Sequence, residues 1–450
     1  MTTRHAPKVG RRNLLKAGAA LTTAAMFGHA PAVLAKKKPF EGTSIAVNTW
    51  SAPYCQWLKD YLPEFEEQTG IKVRYEAAGF PVYNQRMDLE LSTGGSGYDV
   101  ANITFIYVGR WLGAEWFHPL DEFLADPDKT PPDWGADDFM PGPAGILKTG
   151  GHTYGLPWIC DIYMAAAPRF DLVQDAGLGM PKTLDDIKAL CKAVHNREPG
   201  VAAMVTENHH GWTFQPYLQS FGGNSFVGGN PYDFTPALDT KEAIEAAEYY
   251  ADIIRNYCPD GVLSYNYDQT LNACMQGKVA YITFNQAWLV QLAAQNSKVA
   301  EKVAYSLFPT GRAGWKPGVA THGWGIPKFS KKKEAAWEFI KWSMSKDMFR
   351  RMLLEKGYGS VTRNSVIETP DFRKKFMIND YDVGDMYVKT ADSLTDGHME
   401  YRTKHVYPQI DKQLNIAIER CGSGEMTAKE AMQKAQAAAV KELKRMGIKL

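Results

Sequence analysis

The sequence predicts a large α/β protein, because strand patterns alternate with helix patterns along most of its 450 residues. That length allows two or three domains and an ample core. Hydrophobic residues make up 45% of the chain and charged residues 22%, which is ordinary for a soluble globular protein. The formal net charge of +1 shows no excess of basic residues of the kind that binds nucleic acid, so we expect no nucleic-acid partner.

The first strand–helix–strand unit is predicted from the apolar run at 45–50 onward. Leucines and a phenylalanine at helical spacing predict a helix over 58–65, which Pro63 should kink or restart. Gly70 is expected to end this helix, and the alternation of apolar residues at 71–75 predicts the next strand. Strands that alternate with helices in this way favour a parallel sheet.

Helix caps extend the same pattern to the end of the chain. Asp239 is expected to cap a helix with Glu242 in its first turn, and Ser330 is expected to open another. Thr427 and Glu430 form a predicted capping box for the last helix. A helix at about 83–91 and strands at 99–103 and 279–284 are also predicted, while glycine and proline clusters at 141–157, 222–236 and 309–327 predict loops or crossings.

The N-terminal segment has the three regions of a secretory signal. Arg11 and Arg12 precede an apolar stretch at 17–28, and Ala35 ends a small-residue cleavage motif. The paired arginines indicate the twin-arginine pathway, and the apolar stretch is too short to span a membrane, which needs about 20 residues. Cleavage would remove five basic residues and no acidic ones, taking the formal net charge from +1 to −4. We therefore predict a signal peptide at 1–35 and a periplasmic mature protein.

The cysteines do not form a recognisable disulfide or metal pattern. They are scattered without a C-x-x-C motif, at Cys55, Cys160, Cys191, Cys258, Cys274 and Cys421. An exported protein could pair some of them. Because twin-arginine cargo folds in a reducing compartment, buried free thiols are the favoured interpretation for most of them.

Catalytic and metal-binding motifs are absent from the sequence. It contains no G-x-S-x-G, H-E-x-x-H, P-loop or G-x-G-x-x-G motif. His209 and His210 would point to opposite faces of a strand, so a surface loop is favoured over a metal site. A facing pair of carboxylates, as in a glycosidase, is neither indicated nor excluded by the sequence.

Aromatic residues are numerous, with 12 Trp, 22 Tyr and 20 Phe. Several occur in segments rich in Gly, Asn and Asp, namely Trp50, Tyr54, Trp158, Trp212, Trp288, Trp324 and Tyr358. Aromatic faces pack on the C–H faces of sugars while short polar side chains bond the hydroxyls. Taken one at a time, such residues are more typical of a protein core, and only the group as a whole points to a ligand site.

Seven segments along the chain resemble the extracellular solute-binding proteins of sugar importers, which include the maltose-, glycerol-phosphate- and polyol-binding receptors. In order they are residues 62–73 (LPEFEEQTGIKV), 97–100 (GYDV), 117–123 (FHPLDEF), 154–158 (YGLPW), 181–186 (PKTLDD), 276–280 (QGKVA) and 330–337 (SKKKEAAW). Each segment is weak evidence alone, but their common order after a secretion signal is specific.

The resemblance implies the two-lobed α/β fold of type II periplasmic binding proteins, closing on a ligand about a hinge. The first lobe is expected at 40–152 plus 309–360, and the second at 153–308 plus 361–450. The implied function is that of a monomeric periplasmic receptor that captures a carbohydrate or polyol and delivers it to the permease subunits of an ABC transporter. The resemblance implies no catalytic residue, cofactor or metal.

The resemblance also implies ligand-binding positions in both lobes. They are Trp50, Ser51, Tyr83, Asp161, Asn285, Trp288, Trp324, Tyr358, Arg363 and Arg402. The two arginines either form structural ion pairs or bind an anionic substituent such as phosphate, sulfonate or carboxylate. A receptor for an anionic sugar derivative or another small polar solute is therefore one alternative, and a secreted glycoside-processing enzyme is an alternative of a different class.

Overall fold

The computed structural model describes residues 38–228, 230 and 232–450, so the signal peptide predicted at 1–35 lies outside the described residues. Within these residues, strands β1–β13 are Ser44–Trp50, Lys72–Ala78, Val100–Ile103, Phe117–His118, Lys148–Thr149, His152–Thr153, Leu156–Ala167, Ala202–Met204, Val279–Asn285, Ala304–Leu307, Val319–Pro327, Met377–Ile378 and Tyr381–Asp382. The alternation of strands with helices predicted from the sequence is confirmed.

The α-helices of the described residues, α1–α20, complete the element list. They are Pro53–Trp57, Leu62–Thr69, Phe80–Ser92, Val108–Gly113, Asp121–Ala125, Pro141–Ile146, Phe170–Asp175, Leu184–Val194, His210–Thr213, Gln215–Ser220, Lys241–Tyr257, Tyr267–Met275, Gln286–Leu289, Lys333–Ser343, Lys346–Arg351, Asn364–Ile367, Pro370–Phe376, Val383–Asp392, Tyr407–Gly422 and Ala428–Arg445. Short 3₁₀ turns include Leu58–Tyr61 and Glu400–Thr403, and a π-helical turn spans Met352–Lys356. Among the described helices, none is long and apolar enough to cross a membrane.

The main sheet has the strand order β2-β1-β3-β11-β7-β9-β8, with β10 paired to β7 and β4 paired to β11. Strands β1, β2 and β3 run parallel to one another, as do β8 and β9. Strand β11 runs antiparallel to β3, β4 and β7, and β7 runs antiparallel to β9 and β10. The prediction of a parallel sheet is therefore wrong for its centre, because β7 and β11 run against their neighbours.

Strands β7 and β11 connect two halves of this sheet. The first half contains β1–β4, and the second contains β8–β10. The first part of β7 pairs with β11, and its last part, from Tyr163, pairs with β9 and β10. All twelve residues of β7 and all nine of β11 are buried, as expected for strands covered on both faces. We call β7 and β11 the crossing strands.

Most predicted helix signals are confirmed. Pro63 lies in the first turn of α2, where its missing N–H costs nothing, so the helix restarts there after a 3₁₀ turn. Gly70 ends α2 with a φ of 81°, which a residue without a Cβ adopts without strain. Thr427 and Glu430 form the predicted capping box of α20.

Two predicted helix starts are wrong by one to three residues. Thr240, and not Asp239, caps α11, because its hydroxyl accepts a hydrogen bond from a backbone N–H of the first turn. Helix α14 begins at Lys333 and not at Ser330. The Ser330 hydroxyl instead donates to the Asp99 carboxylate at 2.8 Å. This bond connects the loop that precedes α14 to the loop that precedes β3.

The cysteines are six buried free thiols, as predicted for most of them. Burial raises the pKa of the thiols, for example to about 12 at Cys191 and to about 11 at Cys421. These thiols therefore stay protonated at neutral pH and serve as small apolar core residues.

Candidate functional site

Nine ring-bearing side chains lie where the two halves of the sheet meet. We call them the central aromatic cluster, and they are Trp50, Phe80, Phe105, Tyr163, Trp212, Tyr267, Phe284, Trp288 and His322. They come from the ends of β1, β3 and β9, from both crossing strands, and from the starts of helices. Sites in open α/β sheets form at such strand ends, because loops from several strands meet there.

The part of the cluster near the first half of the sheet surrounds His322 of β11. The centre of its ring lies 5.1 Å from that of Trp50, 5.3 Å from that of Phe105 and 6.0 Å from that of Phe80. Phe80 and Phe105 stack on each other, with centroids 5.9 Å apart. Burial and, to a smaller extent, the positive charge of Arg402 lower the pKa of His322 to about 3, so the imidazole is neutral.

Trp212 joins this group to the second half of the sheet. Its ring lies 5.4 Å from Phe105 on one side and 5.5 Å from Tyr163 on the other. Beyond it, Tyr267 and Trp288 stack nearly parallel, with centroids 5.4 Å apart and an interplanar angle of 10°. The cluster is thus continuous across the junction of the two halves.

Polar atoms of this region lack partners although they are buried. Within the described residues, no hydrogen-bond partner is found for Trp50 Nε1, Tyr163 OH, His322 Nδ1, or Nε and Nη2 of Arg402. Buried polar groups in proteins are nearly always bonded, and leaving one unpaired costs about 1–3 kcal/mol. Four such side chains in one region are what a ligand rich in hydroxyl groups would satisfy.

Asp161 of β7 is the centre of a hydrogen-bond network beside the cluster. Its carboxylate accepts from Tyr54 OH at 3.0 Å and from Ser360 Oγ at 2.6 Å, and it also bonds the Asn285 side chain. Burial raises the pKa of Asp161, and these bonds partly offset the increase. The network connects α1, the crossing strand β7 and the end of β9.

Arg402 lies at the edge of the cluster and is almost fully buried, with 3% of its surface exposed. Its Nη1 donates to the carbonyl of Val319, and its guanidinium lies 4.4 Å from the centre of the Phe105 ring. Burial raises the pKa of the neighbouring Asp411 to about 6, while the charges of His209 and Arg402 act in the opposite direction.

A buried carboxylate, Glu207, is a site residue that sequence reasoning missed. It accepts hydrogen bonds from Trp212 Nε1 and from His209 Nδ1, the latter at 3.1 Å, and so fixes the position of Trp212. The prediction of a surface loop at the histidine pair is wrong for His210, which is fully buried. His209 occupies the N-cap position of α9, and His210 is the first residue of that helix. The pair therefore lies at a helix start and not in a surface loop.

Several predicted ligand positions lie together at this junction. Trp50 and Trp288 belong to the central aromatic cluster, and Arg402 contacts it through Phe105. Asn285 is joined to the Asp161 network, and the Tyr358 ring lies 6.1 Å from that of Tyr54. Direct ligand contact at each of these positions stays a prediction.

Four other predicted positions have different surroundings. Ser51 is exposed, and its hydroxyl accepts from Gln56 at 3.3 Å. Tyr83 is buried in the first half, where its hydroxyl donates to the Asn102 carbonyl at 2.6 Å. The sequence offered no means of separating these positions from the cluster, because Ser51 directly follows Trp50 and Tyr83 lies one turn after Phe80 in α3.

Trp324 and Arg363, the other two, have structural contacts. The Trp324 ring stacks on Trp158 with centroids 4.7 Å apart in the core between the crossing strands. The Arg363 guanidinium lies 4.2 Å from the centres of both the Trp134 and the Phe139 ring, and burial lowers its pKa to about 10. Their ligand roles stay predictions.

Two hollows open on the surface away from the cluster. One of about 580 Å³ is lined by residues such as Asn196 and Gln276, and one of about 460 Å³ by residues such as Trp134 and Trp342. In the described part of the chain, no group of three or more His, Cys, Asp or Glu side chains could hold a metal ion. We take the central aromatic cluster as the candidate ligand site because its rings join both halves of the sheet.

Comparison with known proteins identifies the family. Residues 50–348, more than half of the chain, match the family described as bacterial extracellular solute-binding proteins. A mannitol-binding protein of Pseudomonas aeruginosa is 23% identical over 404 residues, covering 85% of this chain and 88% of the relative. A probable amino-acid ABC transporter periplasmic-binding protein of Sinorhizobium fredii is 24% identical over 327 residues, covering 69% and 70%.

A solved structure has the same architecture. The solute-binding protein of an ABC transporter from Agrobacterium radiobacter K84, in complex with ribitol, superposes with a TM-score of 0.80 at 23% identity, covering 90% of this chain and all of that one. This likeness confirms the two-lobed type II binding-protein fold. With its family match over most of the folded region, the chain belongs to the bacterial extracellular solute-binding proteins.

Proposed function

We propose that this protein is the periplasmic receptor of an ABC importer and that it captures a neutral carbohydrate or polyol between its two lobes. The proposal rests on one observation above all. Trp50, Tyr163, His322 and Arg402 hold unpartnered polar atoms in a region lined by aromatic rings. We propose lobes of 40–152 plus 309–360 and of 153–308 plus 361–450, which place β11 in the first lobe and β7, its partner in the sheet, in the second.

The composition of the cluster suits a polyhydroxylated ligand. Aromatic rings such as those of Phe105 and Trp212 offer flat apolar faces to the C–H groups of a sugar or a polyol. The free indole N–H, hydroxyl and imidazole nitrogen of the cluster then bond the ligand hydroxyls. A mannitol-binding relative and a ribitol-bound neighbour of the same fold agree with this ligand class.

The charges around the cluster favour a neutral ligand over an anionic one. Carboxylates of Asp161, Glu207 and Asp411 lie around it, and a phosphate or sulfonate group would be repelled by them. The Arg402 guanidinium is already engaged by a backbone carbonyl and the Phe105 ring. An anionic sugar derivative, held by the remaining N–H groups of Arg402, is the second candidate ligand.

We infer binding and not catalysis from the state of the buried carboxylates. A glycosidase needs one carboxyl group free to donate a proton and a second free to attack or to activate water. Asp161 is engaged by Tyr54 and Ser360, and Glu207 by Trp212 and His209. Neither of these two carboxylates is free for such a role, and the third, Asp411, accepts a hydrogen bond from Tyr407 OH at 3.4 Å.

The mechanism follows from contacts with both lobes. A ligand that bonds groups of both lobes has a higher affinity for the closed form and shifts the population toward it. The permease then recognises the closed receptor. We propose that the chain reaches the periplasm by the twin-arginine pathway and acts there as a monomer.

A thermal-shift screen of the purified protein tests the ligand class. Neutral polyols and sugars, among them ribitol and D-mannitol, are compared with sugar acids and with phosphorylated and sulfonated sugars. A ligand at 100 times its Kd stabilises the protein by about 2.7 kcal/mol, which raises the melting temperature visibly. A shift confined to the anionic compounds would support the second candidate, and turnover of a glycoside would overturn the proposal.

Two tyrosine variants locate the site. Tyr163→Phe removes a buried hydroxyl that has no partner among the described residues, so stability should not fall while affinity for the ligand drops about fivefold to tenfold. Tyr281→Phe is the matched control, because its hydroxyl is also buried and unpartnered but lies in β9 outside the cluster. Equal affinities of the two variants would place the ligand elsewhere.

A further inference from the structure

Helix α4 approaches the backbone of the 400–405 segment very closely at one glycine. A Cβ added at Gly109 would lie 2.3 Å from the carbonyl oxygen of Thr403 and 2.8 Å from the carbonyl carbon of Lys404. Carbon atoms and oxygen atoms that are not bonded stay more than 3 Å apart, and backbone atoms cannot rotate away as side chains do. Position 109 therefore has no room for any side chain in this arrangement.

The backbone conformation does not explain this glycine. Gly109 is absent from the glycines with positive φ in the described residues, and it lies inside the helix Val108–Gly113. A glycine inside a helix is less favourable than an alanine, because it loses more conformational freedom on folding. The close approach to Thr403 is the feature that requires it.

The two sides of this contact belong to different halves of the molecule. Helix α4 follows β3 and precedes β4, which are strands of the first half. The 400–403 turn leads into α19, which packs on α9, α11 and α20 beside the second half. The same boundary is crossed nearby by Phe105, whose ring contacts both Trp212 and Arg402.

We propose that Gly109 sets how far the two lobes close, and that its missing side chain lets α4 meet the 403–404 backbone and bring Phe105 against Arg402. This contact between Gly109 and the 403–404 backbone, which we call the rim contact, contributes no group to the central aromatic cluster. A side chain at 109 would keep α4 away from the 403–404 backbone. The lobes would then stop short of full closure, and the ligand could no longer contact both of them at once. The part of this inference that concerns ligand affinity rests on the proposed receptor function.

Gly113 provides a matched control on the same helix. It lies one turn further along α4, on the same face, and a Cβ there would be 3.8 Å from the Cβ of His405, an ordinary van der Waals contact. Gly109→Ala and Gly113→Ala thus make the same chemical change on the same helix. They differ in whether the closed arrangement has room for the added methyl group.

The experiment combines small-angle X-ray scattering with titration calorimetry on the wild type and both variants. With a saturating polyol from the ribitol and D-mannitol series, the wild type and Gly113→Ala should contract, while Gly109→Ala should keep a larger radius of gyration. The Kd of Gly109→Ala should rise at least tenfold and that of Gly113→Ala by less than twofold. Melting temperatures of the ligand-free variants within a few degrees of the wild type show that the fold is intact.

The outcomes separate this inference from the proposed function. Equal Kd values and equal radii for Gly109→Ala and the wild type would overturn the role of Gly109 while leaving the receptor function in place. If the wild type binds none of the compounds, the proposed ligand class fails. The sugar acids and phosphorylated sugars of the thermal-shift screen then supply the ligand for the same comparison, in which a larger bound radius for Gly109→Ala alone supports the inference and equal bound radii overturn it.

Discussion

The buried imidazole of His210 predicts a measurable loss of stability in acid. Its ring is fully buried, and neither nitrogen has a hydrogen-bond partner in the described part of the chain. Burial lowers the pKa of His210 to about 3, with a smaller effect from the neighbouring His209. The perturbation is the pair of variants His210→Phe and His210→Gln, neither of which titrates in this range.

The size of the effect follows from the two pKa values. The unfolded chain binds a proton at this histidine below its ordinary pKa of about 6.5, whereas the folded protein does not until about pH 3. The wild type therefore loses stability as the pH falls, by about 1.4 kcal/mol per unit below pH 6.5 from this group. Between pH 7.5 and 5.0 both variants should gain about 2 kcal/mol on the wild type. His210→Phe should in addition be more stable at pH 7.5, because it removes two unpaired polar atoms that cost about 1–3 kcal/mol.

The assay is urea unfolding followed by tryptophan fluorescence at the two pH values, with linear extrapolation of the free energy of unfolding to water. Other titrating groups change the stability of all three proteins equally, so the difference from the wild type isolates position 210. His210→Gln removes the titrating group but keeps a polar side chain, so it separates the effect of titration from the effect of replacing polar atoms by apolar ones. A difference that is the same at pH 7.5 and 5.0 would refute the reasoning, since it would mean that the folded protein protonates His210 as readily as the unfolded chain.

Three further measurements test other contacts. Trp288→Ala should raise the Kd of the polyol found in the screen at least tenfold in titration calorimetry, because it removes a buried stacked ring, and an unchanged Kd would exclude this residue from the site. Asp161→Asn should lower the free energy of unfolding by about 2 kcal/mol at pH 7.5, because the amide cannot accept from both Tyr54 and Ser360 as the carboxylate does. Burial raises the pKa of Asp161, so the folded wild type takes up a proton at a higher pH than the unfolded chain, and the stability difference from the variant should widen as the pH falls. Thr427→Ala should cost about 1 kcal/mol in urea unfolding through loss of the α20 cap, while a serine there should retain it, and equal losses for both would contradict the capping role.

The sequence predicted best the elements that local chemistry determines. Strand β1, the restart of α2 at Pro63, its end at Gly70 and the capping box at Thr427 all follow from a few neighbouring residues. The two-lobed fold came from the resemblance of seven segments, since periodicity alone predicted only an α/β protein. The likeness to a ribitol-bound structure at a TM-score of 0.80 confirms that fold.

The crossing strands could not be predicted from local patterns. Strand β7 is buried on both faces, so it lacks the alternation of polar and apolar residues that marks a half-buried strand. The glycines of β11 made its sequence look like a loop. A Cβ at Gly323 would lie 2.8 Å from the Leu156 carbonyl oxygen, and one at Gly325 would lie 2.8 Å from that of Tyr154. These glycines allow close packing of the strands and do not mark a turn.

The candidate site was predicted in part for a similar reason. Trp50 and Trp288 were predicted because the family resemblance implied them and because they belong to the aromatic residues of segments rich in Gly, Asn and Asp. His322, Tyr163 and Glu207 were missed because each lies within a buried segment where nothing nearby in sequence reveals its partner. The distances that bring them together depend on how the crossing strands align, which is a property of the whole sheet.

The unpartnered polar atoms connect the site to the closure of the lobes. A protein evolved only for stability would pair or remove the indole N–H of Trp50 and the hydroxyl of Tyr163, because each costs about 1–3 kcal/mol when buried alone. In a receptor, the energetic cost of these unpaired polar atoms contributes to function. It makes the closed form without ligand less favourable, so closure becomes conditional on a ligand that supplies the missing hydrogen bonds. Gly109 acts on the other side of this balance. Because it has no side chain, α4 can meet the 403–404 backbone, and the lobes can close completely once the ligand is bound.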